Sequence, residues 1–92
     1  MQFASVSSDG RNFGFINRYG EIVIPEKYCE GVYLGLSYFA VAVIKNGKKR
    51  YGVIDQSGQV IRPFNLKAMP NFSETVLYLL KQRKTLREWL GI

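Results

Sequence analysis

Phe13-Gly14-Phe15-Ile16-Asn17-Arg18-Tyr19-Gly20-Glu21-Ile22-Val23-Ile24-Pro25 is written a second time as Tyr51-Gly52-Val53-Ile54-Asp55-Gln56-Ser57-Gly58-Gln59-Val60-Ile61-Arg62-Pro63. Both stretches read aromatic, Gly, apolar, Ile, Asn or Asp, two free positions, Gly, polar, two apolars, one free position, Pro. Self-similarity at this spacing marks a chain assembled from repeated supersecondary units. Within the first stretch the period of two sends Phe13, Phe15 and Asn17 to one face and Gly14 and Ile16 to the other. A glycine in mid-strand leaves room for a ring or another backbone. Asn17 and Asp55 read as side-chain acceptors that close a turn, with Gly20 and Gly58 at its left-handed position. Pro25 and Pro63 are expected to stop the strands that follow, because proline has no amide to give to a ladder.

Working outward, residues 3–8 alternate loosely and meet Asp9-Gly10, a hairpin turn signal. The return strand is expected over 12–17 and a third over 21–24. Residues 26–37, with Gly31 and Gly35 among Tyr28, Val32, Tyr33 and Leu34, read as an irregular, partly buried connection. Phe39-Ala40-Val41-Ala42-Val43-Ile44 is the best candidate for a strand buried on both faces. Asn46-Gly47 turns it, in the place that Asp9-Gly10 holds earlier, and Lys48-Lys49-Arg50 falls at the hairpin tip. The expected fold is mainly β: two three-stranded antiparallel β-meander repeats, about 3–25 and 39–63, occupy residues 1–64. A connection and a C-terminal amphipathic α-helix fill 65–92 and pack on or cap the repeats.

That helix starts at Asn71 or Ser73 as N-cap and runs to about Leu90, before Gly91. Phe72, Val76, Leu79, Leu86, Trp89 and Leu90 share an apolar arc with Tyr78 and Leu80 at its edges; Lys81, Lys84 and Glu88 lie opposite. Two readings stay open, a lid over the sheet and an exposed strip for a partner or a second copy of the chain.

The 92 residues bound the chain to one domain, and six Tyr, six Phe and one Trp supply bulky rings for a small core. A net charge of +6 favours polyanions through long-range attraction. Histidine is absent, so the usual general base and the commonest metal ligand are missing. Cys29 is the one cysteine, with no internal disulfide partner and no zinc spacing. The N-terminus lacks a signal-peptide pattern, and no stretch approaches the roughly 18 continuous apolar residues of a membrane span. A cytoplasmic protein without membrane association is expected.

The run Arg50-Tyr51-Gly52-Val53-Ile54-Asp55-Gln56-Ser57-Gly58-Gln59-Val60-Ile61-Arg62-Pro63, after Asn46-Gly47, together with Ile22-Val23-Ile24-Pro25-Glu26-Lys27-Tyr28 of the earlier copy, resembles the WG repeat family of bacterial proteins. The resemblance covers residues 3–64, about two-thirds of the chain. Phe13 and Tyr51 stand where that family carries its namesake Trp, and Arg62 stands in the Ile-Pro step. What the resemblance implies is an all-β scaffold that binds proteins or surface ligands, with no catalytic activity of its own.

The residues agree with that. Ser7, Ser8, Ser37, Ser57, Ser73 and Cys29 lack a histidine to activate them, and the carboxylates are scattered. The reading is therefore a non-enzymatic protein-binding module without catalytic residues, cofactor or metal. Its candidate partner contacts are Tyr28, Tyr33, Tyr38, Tyr78, Leu86 and Trp89, and the partner is another protein or a second copy of the chain. The alternative is a small basic nucleic-acid-binding module using Lys45, Lys48, Lys49, Arg50, Lys81, Lys84 and Arg87, with Tyr38 and Tyr51 as stacking faces.

Overall fold

Seven antiparallel strands and one helix build residues 3–81, the part of the chain that the computed structural model describes. They are β1 (Phe3–Val6), β2 (Phe13–Asn17), β3 (Ile22–Tyr28), β4 (Glu30–Gly35), β5 (Tyr38–Lys45), β6 (Lys48–Asp55), β7 (Val60–Leu66) and α1 (Phe72–Lys81). Two sheets result, β1-β2-β3 and β4-β5-β6-β7. The repeated stretches are β2–β3 and β6–β7, and they close on the same turn. Asn17 Oδ1 accepts from the amides of Tyr19 and Glu21 at 2.9 and 3.0 Å. Asp55 Oδ1 accepts from Ser57 and Gln59 at the same two distances. Gly20 and Gly58 follow with φ of 80° and 87°, as the turn requires.

The prolines do not end their strands. β3 runs through Pro25 to Tyr28 and β7 through Pro63 to Leu66. Both are edge strands, where a missing amide costs no ladder bond. Each proline also sits in a bulge: Phe13 pairs with Tyr28 but Phe15 with Ile24, and Tyr51 pairs with Leu66 but Val53 with Arg62. The swollen edge presses onto the glycine opposite. A Cβ on Gly14 would strike the Ile24 carbonyl oxygen and the backbone of Pro25 and Glu26. One on Gly52 would stand 2.7 Å from the Arg62 carbonyl oxygen and 2.9 Å from the Phe64 ring. Aromatic-Gly and Pro are thus two halves of one device.

The connection after Tyr28 is a correction too. Residues expected to be irregular form β4, paired with β5 from Glu30↔Ala42 to Gly35↔Tyr38. Gly31 is small because a Cβ there would come within 3.0 Å of the Phe15 ring of the other sheet. The first hairpin differs as well: Asp9-Gly10 is not a two-residue turn but part of a wider loop, since Val6 already pairs with Gly14. Asp9 holds that loop, accepting from the amides of Arg11 and Asn12 at 2.8 Å.

The core lies between the sheets. Phe3, Phe15, Ile24, Tyr28, Phe39, Val41 and Ile54 are buried there together. Each such side chain contributes about 1.5–3 kcal/mol. Rings of Phe3, Phe15 and Tyr33 surround Phe39 at centroid distances of 5.2, 4.6 and 5.0 Å. Alternation along β5 turns Ala40 and Ala42 to the opposite face, and they too are fully buried, as expected of the central strand. The helix lies on that outer face, with Tyr78 under the Arg62 guanidinium at 4.9 Å and Phe72 beside Gly35.

Asn71 caps the helix, its Oδ1 accepting from the Glu74 amide at 2.8 Å. The buried arc is centred differently from the expected one: Thr75 is 3 % exposed, whereas Phe72, Leu77 and Leu80 are 42, 58 and 54 % exposed. Thr75 satisfies its hydroxyl on the Asn71 carbonyl at 2.9 Å, so its burial leaves no polar atom unpaired. The expected course of the helix to Leu90, and with it Leu86, Trp89, Lys84 and Arg87, lies outside the described residues.

Candidate functional site

The basic run lies on the two strands that meet at the hairpin tip, β5 ending at Lys45 and β6 starting at Lys48. Asn46 and Gly47 both take positive φ, 52° and 76°, which makes a two-residue hairpin turn whose twist matches its strands. Lys45 pairs with Lys48, Ile44 with Lys49 and Val43 with Arg50. Alternation then sorts the charges. Lys45, Lys48 and Arg50 share the face of Val43, and Lys49 and Tyr51 share the face of Ile44.

On the second of these faces the charge is already answered. Lys49 Nζ lies 2.9 Å from Glu30 Oε2, and the Tyr51 hydroxyl donates to the same oxygen at 2.9 Å. Hydrogen bonds from Lys49 and then Tyr51 hold the Glu30 carboxyl below its ordinary value. The same contact raises Lys49 and Tyr51 above theirs. Tyr51 is therefore engaged on the face away from the three clustered cations, and Tyr38 stands at the far end of β5 opposite Asp55. Neither offers a stacking surface beside that cluster.

Lys45, Asn46, Lys48, Arg50, Phe64 and Asn65 line a shallow depression of about 340 Å³. Among the described residues no carboxylate lines it and Lys49–Glu30 is the one ion pair. Arg50 donates from Nη1 to the Lys49 carbonyl at 2.9 Å, which orients its guanidinium. The Phe64 ring is held between Gly52 and Tyr28, stacked on the latter at 6.2 Å with planes 16° apart. Four of the other described carboxylates are occupied elsewhere, Asp9 in its loop, Glu21 on Asn17, Glu26 on Ser8 and Asp55 in its turn, and Glu74 stands on the helix. Backbone amides of Asn12 and Arg11 pull Asp9 down to about 2.

The four described candidate partner residues, Tyr28, Tyr33, Tyr38 and Tyr78, do not converge on one surface. Tyr28 is a core residue, 5 % exposed, and not available to a partner. Tyr33 packs against Phe3 and Phe39, and its hydroxyl accepts from the Ser37 amide at 3.1 Å. Tyr38 and Tyr78 are half-buried, and Lys81 is exposed on the helix.

What the sequence reading missed is the turn between β4 and β5. Leu36 is 70 % exposed with φ of 54°, followed by Ser37 at 65°. Phe72 sits next to it, against Gly35. Gly35-Leu36-Ser37 lacks the Asn-Gly signature, so only the pairing Gly35↔Tyr38 reveals the turn.

Among the described residues no three His, Cys, Asp or Glu side chains gather to hold a metal ion. No described helix is long and apolar enough to cross a membrane. The chain matches no protein-family model, no curated protein and no solved structure.

Proposed function

We propose that the protein is a non-enzymatic, cytoplasmic binding scaffold that engages a protein partner through the Leu36 turn and the adjoining start of the helix. One observation carries this: a leucine 70 % exposed is held in left-handed backbone conformation. Non-glycine residues in that region cost about 1–3 kcal/mol, and an apolar side chain in water adds nothing to offset it. Phe72 beside it, and Leu77 and Leu80 on the outward arc of the helix, extend the exposed apolar surface. The likeness of the two repeated stretches to WG repeats, which implies a scaffold without catalytic residues, points the same way.

The test replaces Leu36 with asparagine, a residue that tolerates φ above zero. Leu36→Asn is expected to raise unfolding stability by about 0.5–1 kcal/mol while abolishing capture of the protein that the unaltered chain retains in an affinity pull-down. Sedimentation of the purified chain at rising concentration identifies the case in which that partner is a second copy. Capture undiminished in Leu36→Asn and in Phe72→Ser would overturn the proposal.

A further inference from the structure

We infer that the β5–β6 ribbon carries a second binding surface, for the phosphate backbone of double-stranded nucleic acid, formed by Lys45, Lys48 and Arg50. It is separate from the Leu36 surface, which lies at the other end of β5, roughly 25 Å away at the rise of an eight-residue strand.

Three features of the ribbon select this ligand. The cations stand on one face with no carboxylate among the described residues of the depression they line, whereas Lys49, the neighbouring cation on the other face, is paired with Glu30. The end of the ribbon is open, with every residue from Ile44 to Lys49 exposed. Two antiparallel strands about 4.8 Å apart form a ribbon of the width that the major groove of a duplex admits.

The depression lacks what the alternatives need. A protein interface anchors on an accessible aromatic or aliphatic side chain, and single strands bind by stacking bases on a free ring. Phe64, the one aromatic side chain among the described residues that line it, has Gly52 and Tyr28 against it. Cations without a free ring suit phosphates, which are contacted by charge and carry no sequence information. The net charge of +6 steers such a polyanion in from a distance.

The test titrates the full chain against a labelled short duplex of mixed sequence, at several salt concentrations. Binding in the range of about 10−4 to 10−6 M is expected, with a slope of log affinity on log salt near −2.7 for three phosphates, roughly a fortyfold loss between about 50 and 200 mM. The triple variant Lys45→Gln, Lys48→Gln, Arg50→Gln should lose at least about tenfold in affinity and flatten the slope towards zero. Lys49→Gln should change neither much, and the charge-preserving Lys45→Arg, Lys48→Arg, Arg50→Lys chain should bind like the original. Near-ultraviolet circular dichroism confirms that each variant is folded. No binding at the lowest salt overturns the inference. So does binding that survives the triple substitution, or a preference for a single strand or for polyglutamate of equal charge.

Discussion

The two hairpins that lead into the repeated stretches are built from opposite materials. β1–β2 turns through a broad loop in which one carboxylate, Asp9, gathers the amides of Arg11 and Asn12 and the hydroxyl of Ser7. β5–β6 turns on Asn46 and Gly47 alone, keeps its ladder to the last pair Lys45↔Lys48, and puts its charges at the open end. Downstream the copies converge again: the same turn on Asn17 or Asp55, the same glycine under the same proline bulge. The shared parts are mechanical. The parts that differ are the ones that shape surface, a loop folded inward on Asp9 in one copy and, in the other, a ribbon with one basic face unpaired among the described residues.

The heaviest blow to the shared machinery is a methyl group on its glycines. Gly14→Ala is expected to cost about 3 kcal/mol or more, because all three atoms its Cβ would meet belong to the backbone of the bulge and none can swing aside. Gly52→Ala meets one carbonyl oxygen, at 2.7 Å, and otherwise the ring of Phe64, a side chain that yields more readily than backbone, and should cost about 2 kcal/mol. Urea unfolding of the two variants measures both. Equal, small losses would show that the bulges are not rigid and that the copies share a sequence pattern without sharing its mechanical reason.

That pairing of glycine with proline also marks how far the sequence could be read. The central strand β5, the turns at Asn17 and Asp55 and the cap at Asn71 were legible, because period, turn chemistry and capping are local. The prolines misled: lacking an amide suggests a strand end, but at a sheet edge it is harmless, and edge position is a tertiary property. β4 was hidden for a similar reason, since Gly31 is a poor strand former chosen to admit Phe15 from the other sheet. At the candidate site, Lys48-Lys49-Arg50 reads as one cluster in sequence, yet a two-residue turn makes it a strand and divides it between two faces. Only the register reveals that Glu30, nineteen residues earlier, answers Lys49.

A smaller effect separates the two hairpin turns. Gly47→Ala should cost about 1.5 kcal/mol, because a two-residue turn needs positive φ at both positions and has no side-chain bonds to fall back on. Gly10 also has positive φ, 73°, but its loop is held by Asp9 and its amide donates to Ser7 Oγ at 2.8 Å. Gly10→Ala should cost about 1 kcal/mol or less. Chemical denaturation again reads the difference. Gly47→Ala should in addition weaken duplex binding, while Gly10→Ala leaves it unchanged.

The smallest effect exchanges the two turn acceptors. Hydrogen bonds from Ser57, then from the Gln59 amide, hold the Asp55 carboxyl below its ordinary value, so its ionised form favours the folded state. A carboxylate lowered on folding stabilises above its unfolded value and loses that contribution as pH falls through its folded one. Asp55→Asn keeps the acceptor oxygen, as Asn17 does in the first copy, and gives up only the charge. It should therefore lower stability at pH 7 by about 0.5 kcal/mol, with the gap closing as the solution is acidified below the ordinary carboxylate range. The acid limb that remains in the variant belongs to Glu30 and to Asp9, whose value of about 2 carries it to the lowest pH. Urea midpoints of both chains at neutral pH and near pH 3 test this. A gap that persists unchanged in acid would mean that Asp55 acts in its turn through shape alone, as the neutral Asn17 does, and that the two copies differ there in sequence but not in physics.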